Sequence, residues 1–269
     1  MKDLKKTYGS WALVAGAAEG MGAAYSIALA ERGLDLILVD HQKALLHTFE
    51  DQLRQNYGIK THRLAFDLAE PESVGKMIRC IKETGCRLII YNAAFSLVKP
   101  FLENNSSELD RYIHVNMRTP IQMIHAFLAY HADTPERRKG IILMSSLAGW
   151  WGTQLLAPYG ASKAFNAILA EALHHEFKHQ NVDVLACIAG ATSTPAYLET
   201  NPQYGRIRPH IMNPGKVVSG ALDTLGRTAL YVPGFHNRLT FFILSRILAR
   251  PAAVRLMNRT VSQMYRDRF

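Results

Sequence analysis

The sequence predicts an α/β fold: a doubly wound parallel sheet of about seven strands with helices on both faces. Short, continuously apolar runs alternate with longer stretches of helical periodicity from residue 11 onward. Strands with unbroken apolar runs are buried on both faces, which is typical of parallel sheets. A chain of 269 residues with 48% hydrophobic content can bury one substantial core. We therefore expect a single domain over residues 1–269, with its core at about 8–233.

The predicted strands are short apolar runs, and the predicted helices lie between them. In chain order the strands cover residues 11–15, 36–39, 64–66, 88–91, 141–145, 182–188 and 229–232. The helices cover residues 21–32, 42–57, 71–83, 107–131 and 159–179. Gly33 just past a helix end and Pro71 at a helix start are typical boundary residues. Such a sheet binds ligands at the carboxyl ends of its strands, where the winding reverses.

The excess positive charge is confined to the end of the chain. Residues 1–200 contain 20 Lys+Arg and 20 Asp+Glu, whereas residues 201–269 contain 11 Lys+Arg against Asp223 and Asp267. The net charge of +9 therefore describes a local surface. A basic tail is one feature of nucleic-acid binding, but no recognised reader motif accompanies it here. We expect no nucleic-acid partner.

The sequence favours a cytoplasmic protein. Its first residues run into the strand at Trp11 without the apolar stretch of a signal peptide. The longest apolar segment, 239–248, is interrupted by Ser245 and Arg246 and is too short to cross a bilayer. The cysteines form neither a Cys-x-x-Cys pair nor an even framework, which suits a reducing compartment. They are Cys80, Cys86 and Cys187.

A glycine-rich loop follows the first predicted strand. Gly16, Gly20 and Gly22 stand between strand and helix in the spacing G-x-x-x-G-x-G. Small residues let the backbone approach a pyrophosphate, which the free N–H groups of a helix N-terminus attract. We expect a dinucleotide here; the alternative is a set of glycines that serve only a tight turn. The candidate cofactor-binding residues of the loop are Gly16, Ala18, Glu19, Gly20, Met21 and Gly22.

Asp40 ends the second predicted strand, eighteen residues after Gly22. A carboxylate at this place accepts hydrogen bonds from the adenosine ribose hydroxyls and repels a 2′-phosphate. Glu19 adds negative charge where a phosphate-binding Arg or Lys would be needed. Both residues favour NAD over NADP as the cofactor. The alternative interpretation of Asp40 is a helix N-cap.

Tyr159 and Lys163 lie four residues apart, and Ser146 lies thirteen residues before the tyrosine. Four residues is just over one helical turn, so phenol and ammonium share one helix face. A nearby cation favours the phenolate and lowers a tyrosine pKa from its ordinary value, and a serine hydroxyl can hold a substrate oxygen beside it. The trio suits proton transfer at an oxygen whose carbon gains or loses hydride. The alternative is a helix with an exposed lysine.

Together these motifs resemble the short-chain dehydrogenase/reductase family, a group with the Rossmann-type fold, over about residues 10–200. The resemblance implies Ser146, Tyr159 and Lys163 as the catalytic set, with Asn116 as a fourth member. It also implies further cofactor-binding residues. These are Asp67 and Leu68 beside the adenine, Asn92, Ala93 and Ala94 after the fourth strand, and Thr192 and Thr194 near the nicotinamide amide.

The implied reaction is hydride transfer between NAD(H) and a secondary alcohol or ketone. The resemblance implies that Tyr159 exchanges the proton, that Lys163 lowers the tyrosine pKa and binds the nicotinamide ribose, and that Ser146 binds the substrate oxygen. Asn116 completes a proton relay through a distorted helix and a water. The other class of function is a catalytically silent dinucleotide sensor or scaffold, but such proteins typically lose the tyrosine or the lysine.

The resemblance also implies a substrate-covering segment at 191–225, within which Tyr197, Tyr204, Ile207 and Ile211 favour an apolar substrate. Steroid-like ketones, acyl derivatives and aliphatic alcohols all remain open. We expect a homodimer formed through the helices at 107–131 and 159–179. Trp150 and Trp151, after the serine loop, either line the pocket or pack against the next helix or a dimer mate.

The last segment, 234–269, is expected to form a basic helical extension split by Pro251. Two amphipathic helices with cationic faces can rest on an anionic membrane surface. The alternative, which we favour, is that both helices pack their apolar faces on the domain or on a dimer mate, because soluble amphipathic helices show the same pattern. His175 and His179 match the H-E-x-x-H zinc motif but lie at the far end of their helix, and we expect no metal.

Overall fold

The computed structural model describes residues 3–205 and 208–268 of the chain. In these residues seven parallel strands form one sheet in the order β3-β2-β1-β4-β5-β6-β7, which confirms the predicted fold class. The strands are β1 Trp11–Ala15, β2 Asp35–Asp40, β3 Thr61–Ala65, β4 Leu88–Tyr91, β5 Lys139–Ser146, β6 Val182–Ala189 and β7 Leu230–Tyr231. The winding reverses between β1 and β4, so a crevice opens at their carboxyl ends.

Helices cover both faces of the sheet. They are α1 Leu4–Tyr8, α2 Gly20–Ala30, α3 Lys43–Tyr57, α4 Ser73–Thr84, α5 Ser106–Ile113, α6 Thr119–Tyr130, α7 Ala157–Glu176, α8 Pro195–Glu199, α9 Pro214–Thr224, α10 Phe235–Phe242 and α11 Arg250–Met264. Alternate strand residues point to opposite faces: Leu36 and Leu38 pack with α2, α3 and α9, whereas Ile37 and Val39 pack with the residues of α4, α6 and α7.

The helix predicted at 107–131 is interrupted. A π-helical turn, His114–Arg118, separates α5 from α6. Pro120 has no N–H, so the carbonyl of Asn116 lacks the donor that an α-helix would supply from four residues on. The Tyr91 hydroxyl donates to the carbonyl of Val115 at 2.6 Å and supports the distorted turn. The proline was the available sequence signal for this break.

The substrate-covering segment expected at 191–225 contains a helix that the sequence pattern did not predict. Asn213 caps α9 by accepting from the N–H of Gly215 at 2.9 Å, and Pro214 occupies the first helical turn. Val217, Val218, Ala221 and Leu222 of α9 are fully buried in the core beside α2. Residues 214–224 therefore belong to the core layer. Ile207, named above as an apolar residue of this segment, lies outside the described residues.

The C-terminal extension folds back on the domain. After β7 come α10, a π-helical turn at Ile243–Ile247, and α11. The apolar residues Val261 and Met264 of α11 pack on Val98 and Leu155, which confirms the packing alternative for this helix. Among the described residues, none of the helices combines the length and apolar character that a membrane span requires.

Trp150 and Trp151 contact the extension. Trp151 is buried in a cluster with Leu244 and Ala253, and the rings of Trp150 and Phe241 meet edge to face with centroids 4.8 Å apart. The two tryptophans therefore pack as the second alternative expects, but their partners are the C-terminal helices, which the sequence analysis did not name. They join the loop after β5 to the C-terminal helices.

Candidate active site

The three candidate catalytic residues meet at the carboxyl end of β5. Ser146 is the last residue of β5, and Tyr159 and Lys163 lie in the first two turns of α7. The Lys163 Nζ atom lies 5.6 Å from the centroid of the Tyr159 ring. Lys163 is buried, whereas Tyr159 is only partly buried. The phenol thus remains partly exposed, with the buried ammonium near its ring.

Two close contacts hold the serine loop against α7. A Cβ added to Gly149 would lie 2.7 Å from the N atom of Ala164, and one added to Gly160 would lie 2.8 Å from the carbonyl oxygen of Ala148. Contacts this short leave no room for a side chain, so loop and helix approach through both glycines. This approach places Ser146 beside Tyr159.

Ser145, the residue before Ser146, has a structural role. Ser145 is buried, and its hydroxyl donates to the carbonyl of Lys163 at 2.7 Å. The Ser146 hydroxyl accepts from the N–H of Ala148 at 3.2 Å and remains partly exposed. Ser146, thirteen residues before Tyr159, is therefore the serine whose hydroxyl lies beside the phenol, whereas the Ser145 hydroxyl is bound to the backbone of α7.

The pKa of Tyr159 differs from the sequence-based expectation. Burial raises it above the ordinary value, while the nearby Ser146 hydroxyl lowers it by a smaller amount. The expected lowering by Lys163 is not seen; the Lys163 ammonium donates to the carbonyl of Met144 at 2.9 Å. Burial also lowers the pKa of Lys163 to about 8. The phenol is therefore protonated at neutral pH, and the lysine is a buried cation whose pKa is lowered by burial.

We expect Lys163→Met to stabilise the fold at neutral pH. The folded lysine has a pKa of about 8 against an ordinary value of 10.5. The unfolded chain therefore binds the extra proton between these values, and wild-type stability rises as the pH increases through this window. Removal of the buried charge should raise the free energy of unfolding at pH 7 by about 1–3 kcal/mol, after the lost hydrogen bond is allowed for.

Urea denaturation of both proteins between pH 7 and pH 10.5 measures this effect. The advantage of Lys163→Met should shrink as the pH rises, since the wild-type lysine loses its proton in both states. Lys163→Arg, which keeps the charge, serves as the control and should show no such advantage. A constant difference across the range would contradict the assignment of the shift to Lys163.

Asn116 lies in the π-helical turn and is fully buried. Its side-chain oxygen accepts from the N–H of Phe95 at 2.7 Å. Its Nδ2 atom donates to the carbonyl of Phe95 at 2.9 Å and to the Ser162 hydroxyl at 3.0 Å. The Ser162 hydroxyl in turn donates to the carbonyl of Tyr159 at 2.7 Å. The Asn116 side chain thus ties the loop after β4 to the first turn of α7.

The glycine loop forms a cradle at the carboxyl ends of β1 and β4. Gly16 has φ +75°, and an added Cβ would lie 2.7 Å from the Cα of Ala93. A Cβ on Gly22 would lie only 1.6 Å from the Gly16 oxygen, which also accepts from Asn92 Nδ2 at 2.9 Å. A Cβ on Gly20 would lie 3.2 Å from the Thr194 side chain. Such a bare backbone surface fits the pyrophosphate of a dinucleotide.

The loop's other residues surround this cradle. Glu19 is the N-cap of α2, but its carboxylate makes no capping hydrogen bond, and Ala18 is buried. Met21 packs against the core from the first turn of α2, and Ala94 is exposed after β4. The N-terminal N–H groups of α2 therefore receive no hydrogen bond from the Glu19 side chain and can bind an anionic ligand.

Asp40 is 5% exposed and binds the glycine loop. One carboxylate oxygen accepts from the N–H of Ala18 at 3.0 Å and the other from the N–H of Gln42 at 3.1 Å. Helix α3 begins at Lys43 with Gln42 as its N-cap, so the interpretation of Asp40 as a helix cap is wrong. The carboxylate stands at the edge of the cradle where an adenosine ribose would lie.

The remaining candidate cofactor residues lie around the same crevice. Asp67 pairs with Arg111 at 2.8 Å and accepts from the N–H of Ala69 at 2.9 Å. Leu68 is buried, and its carbonyl accepts from the Thr119 hydroxyl at 2.7 Å. The arginine on α5 is a neighbour that sequence spacing did not indicate.

The two threonines follow β6. Thr192 is buried, donates to the carbonyl of Gly190 at 3.0 Å and forms a bridge with Met212. Thr194 caps α8 by accepting from the N–H of Tyr197 at 3.3 Å. Thr194 therefore lies beside Gly20 of the glycine loop, and Thr192 is held against Met212.

The structure adds Asn258 of α11, which the sequence analysis missed. Its side-chain oxygen accepts from the N–H of Gln154 at 2.8 Å, and its Nδ2 atom donates to the carbonyl of Gly152 at 2.9 Å. Leu155, next in this loop, has φ +61°, a conformation that costs free energy for a branched side chain. The extension therefore clamps the strained loop between Ser146 and Tyr159.

We expect Asn258→Ala to lower the free energy of unfolding by about 1–3 kcal/mol, because it leaves backbone groups of the loop without partners. It should also raise KM for a bulky substrate by about tenfold, equivalent to ~1.4 kcal/mol, while KM for the cofactor stays within twofold. Arg259→Ala, at the next and exposed position of α11, is the control. Equal changes in the KM for the substrate and the KM for the cofactor would indicate a general loss of structure and not a displaced loop.

The histidine pair of the zinc-like motif does not share a helix. Helix α7 ends at Glu176, so His179 lies beyond its C-terminus, and His174 bonds the carbonyl of Val184 at 3.1 Å. Within the described ranges, one group with ligand-like spacing comprises His47, Glu50 and Asp51. The Glu50 carboxylate already pairs with Arg54 at 3.0 Å and Arg63 at 3.2 Å.

Comparison with known proteins gives a family and several relatives. Residues 10–205 match the family model described as short chain dehydrogenase. A 7beta-hydroxysteroid dehydrogenase of Clostridium sardiniense is 30% identical over 237 residues, which cover 88% of this chain and 90% of the relative. A very-long-chain 3-oxoacyl-CoA reductase of Debaryomyces hansenii is 30% identical over 239 residues, which cover 84% of this chain and 67% of the relative.

Solved structures share the fold. A structure from work on 7beta-hydroxysteroid dehydrogenase stereoselectivity aligns with a TM-score of 0.85 at 24% identity and covers 95% of this chain and 99% of its own. A short-chain dehydrogenase from Sphingobium yanoikuyae in complex with NADPH aligns with a TM-score of 0.77 at 24% identity and covers 92% and 94%. At these identities the likeness shows the fold alone.

Proposed function

The chain belongs to the short-chain dehydrogenase family and is an NAD(P)-dependent oxidoreductase, and from this premise we propose how its site works. The reaction is hydride transfer between the nicotinamide and a hydrophobic secondary alcohol or ketone, with Tyr159 as general acid and base. The observation that carries the proposal is the meeting of Tyr159, Lys163 and Ser146 beside the glycine cradle of Gly16 and Gly22. The cofactor supplies the hydride chemistry, and the protein supplies position and proton transfer.

In the direction of reduction, the protonated phenol of Tyr159 donates its proton to the carbonyl oxygen as that oxygen gains negative charge. The raised pKa of Tyr159 keeps this proton in place at neutral pH. Ser146 donates a hydrogen bond to the same oxygen and fixes its position. In the direction of oxidation the same groups act in reverse, so the phenol must first lose its proton.

Lys163 and Asn116 support the proton path. For oxidation we propose that the Lys163 ammonium turns from the Met144 carbonyl toward the phenolate once Tyr159 has given up its proton, and that it would also hold a ribose hydroxyl of the cofactor. The carbonyl of Asn116, which receives no N–H from Pro120, would hold a water in a relay from Lys163 to solvent. The buried side chain of Asn116 keeps that carbonyl in place.

The cofactor residues of the proposal surround the crevice. They are Gly16, Ala18, Glu19, Gly20, Met21, Gly22, Asp40, Asp67, Leu68, Asn92, Ala93, Ala94, Tyr159, Lys163, Thr192 and Thr194. Asp40 binds the adenosine ribose and makes NAD the preferred cofactor. Its carboxylate is held by Ala18 and Gln42, so a 2′-phosphate would meet a fixed negative charge.

We expect Asp40→Asn to narrow the preference for NAD over NADP by about tenfold in kcat/KM, equivalent to ~1.4 kcal/mol. The substitution removes the charge but retains an oxygen that can accept from Ala18 or Gln42, so the loop keeps its shape. Asp40→Ala removes both charge and acceptor and should also lower the affinity for NAD. A wild-type protein that prefers NADP would contradict the proposal for Asp40.

The substrate class follows from the relatives and from the pocket wall. The relatives act on a hydroxysteroid and on very-long-chain acyl thioesters, by their names. In this chain an apolar cluster joins the loops around Tyr159 to the C-terminal extension. It comprises Val98, Leu155, Val261, Met264 and Tyr265, with Leu156, Tyr197 and Tyr204 packed against it. The partly buried members of this cluster would offer apolar contacts to a steroid-like, acyl or aliphatic alcohol or ketone, and residues 191–212 would cover it.

The test is turnover of NAD and NADH by the purified protein with a hydroxysteroid, a 3-oxoacyl thioester and a bulky aliphatic ketone. We expect at least one substrate to change the absorbance of the reduced nicotinamide. Cofactor binding without turnover on every member of the panel would favour the catalytically silent sensor. The retention of Tyr159, Lys163, Ser146 and Asn116 supports the enzyme.

We further propose that the protein is a homodimer through α5, α6 and α7. Large apolar side chains of these helices are exposed in the single chain: Ile113, Ile121 and Ile168 are 51%, 41% and 59% exposed. Burial of such a face is favourable in proportion to its apolar area. A monomer or tetramer in a solution mass measurement would contradict this.

We also propose a cytoplasmic location, which the three free, buried cysteines support. We propose in addition that the C-terminal helices make peripheral contact with a membrane.

A further inference from the structure

Helix α10 and the π-helical turn after it leave an apolar stripe exposed. Its residues recur at helical spacing along one face: Phe235, Leu239, Phe242, Ile243 and Ile247 are 66%, 45%, 54%, 39% and 65% exposed. The opposite face is already covered, since Phe241 packs on Trp150 and Trp151 and Leu244 is buried with Ala253. The segment is therefore apolar on two sides, and the domain covers one of them. A contiguous stripe of this kind marks an interaction surface.

The same exposed face carries arginines. Arg238 and Arg246 occupy helical positions between the apolar residues of the stripe, and Arg250 follows the stripe as the first residue of α11; all three are exposed. No Asp or Glu occurs from residue 224 to residue 266, a stretch with seven arginines. The face thus combines large apolar side chains with uncompensated positive charge. That combination is typical of helices that lie in the interface of an anionic membrane.

A second copy of this chain is a poor occupant of the face. In a two-fold contact the same surface meets itself, so Arg238 and Arg246 of each copy would approach arginines of the other. The stretch 224–266 offers no carboxylate to neutralise them. Like charges brought together in an apolar contact oppose association. Anionic lipid headgroups supply the missing negative charge, and acyl chains supply the apolar phase.

We propose that the face formed by α10 and the π-helical turn docks on an anionic lipid surface. Phe235, Phe242 and Ile247 enter the boundary between headgroups and acyl chains, and the arginines contact lipid phosphates. Helix α11 takes no part in the apolar contact, because Val261 and Met264 are buried on the domain. The docked helix lies beside Trp150 and Trp151, which follow Ser146, so an apolar substrate dissolved in lipid would be released near the pocket.

Co-sedimentation of the full chain with vesicles tests the proposal. We expect salt-sensitive binding to phosphatidylcholine vesicles that contain about one-third phosphatidylglycerol and little binding to pure phosphatidylcholine. Replacement of Phe235 and Phe242 together by serine should weaken the partition coefficient at least ~tenfold. Leu45→Ser, at another exposed leucine in α3, is the matched control and should leave binding within about twofold.

A second pair of variants separates docking from general charge attraction. Arg238→Gln with Arg246→Gln should weaken binding at least ~tenfold, whereas Arg255→Gln with Arg259→Gln removes the same charge from exposed positions of α11 and should change it less than ~threefold. Equal losses from the two pairs would overturn the docking face. Absence of sedimentation at low salt, or a change in solution mass caused by the stripe variants, would also overturn it.

The proposal extends the membrane contact suggested for the C-terminal helices and does not depend on hydride transfer. None of the substituted residues belongs to the catalytic or cofactor-binding set. Turnover of a water-soluble ketone by the stripe variants should therefore equal that of the wild type. A protein that binds vesicles but turns over no substrate would leave the docking face standing and contradict the catalytic proposal instead.

Discussion

Tyr159→Phe is expected to lower kcat by about 10²–10⁴-fold and to leave the affinity for NAD within about threefold. The substitution removes only the oxygen that exchanges the proton, while the ring keeps its place over Lys163. The loss should therefore appear in the chemical step. Steady-state kinetics on the best substrate, together with a fluorescence titration of NAD binding, measures the two quantities separately.

Tyr112→Phe is the matched control for this prediction. Tyr112 is a second buried phenol near the site, and its hydroxyl accepts from the N–H of Leu97 at 2.7 Å. Its loss should cost about 1 kcal/mol of stability and change kcat by less than about fivefold. Activity of Tyr159→Phe within tenfold of the wild type, or an equal loss in both variants, would refute the role assigned to Tyr159.

Gly22→Ala is expected to abolish cofactor binding and to lower the melting temperature. Its Cβ would lie 1.6 Å from the carbonyl oxygen of Gly16 and 2.9 Å from Nδ2 of Asn92. Backbone cannot yield to a contact of that length, so the loop must move and the cradle opens. The thermal shift that NAD produces in the wild type should be absent in the variant.

Gly75→Ala is the control because an added Cβ at this position of α4 meets no atom within 4 Å. It should stabilise the protein by about 0.5–1 kcal/mol, as alanine does in a helix interior, and should keep the NAD-induced shift. Retention of that shift in Gly22→Ala would show that the approach of α2 to Gly16 is not needed for the cofactor.

Much of the fold was predictable because its signals are local. The apolar runs that became β1, β4, β5 and β6 need burial on both sides, and only a parallel sheet between helices supplies it. The candidate site was predictable for a similar reason. Gly16 to Gly22 and Tyr159 to Lys163 act through fixed offsets along the chain, and the carboxyl ends of neighbouring parallel strands bring such short motifs to one edge.

Features that depend on distant parts of the chain were not predictable. The side chain of Asn258 accepts from the N–H of Gln154, which lies 104 residues away in the sequence. No sequence pattern at either position predicts this contact. The exposed stripe of α10 and the buried stripe of α11 have the same pattern in the sequence, because amphipathicity gives the face but not what covers it. Which of the two stripes is buried was decided by how the whole C-terminal extension packs on the domain.

The pKa values at the site show the same division. Residue types and spacing determined that a phenol, an ammonium and a hydroxyl share one place. The direction of the shift in the Tyr159 pKa was decided by burial, which outweighs the lowering by the Ser146 hydroxyl. A helical offset determines which groups are neighbours. The pKa of each group also depends on its solvation and its hydrogen-bond partners, which are set by every element packed around it. Only the tertiary structure contains that packing.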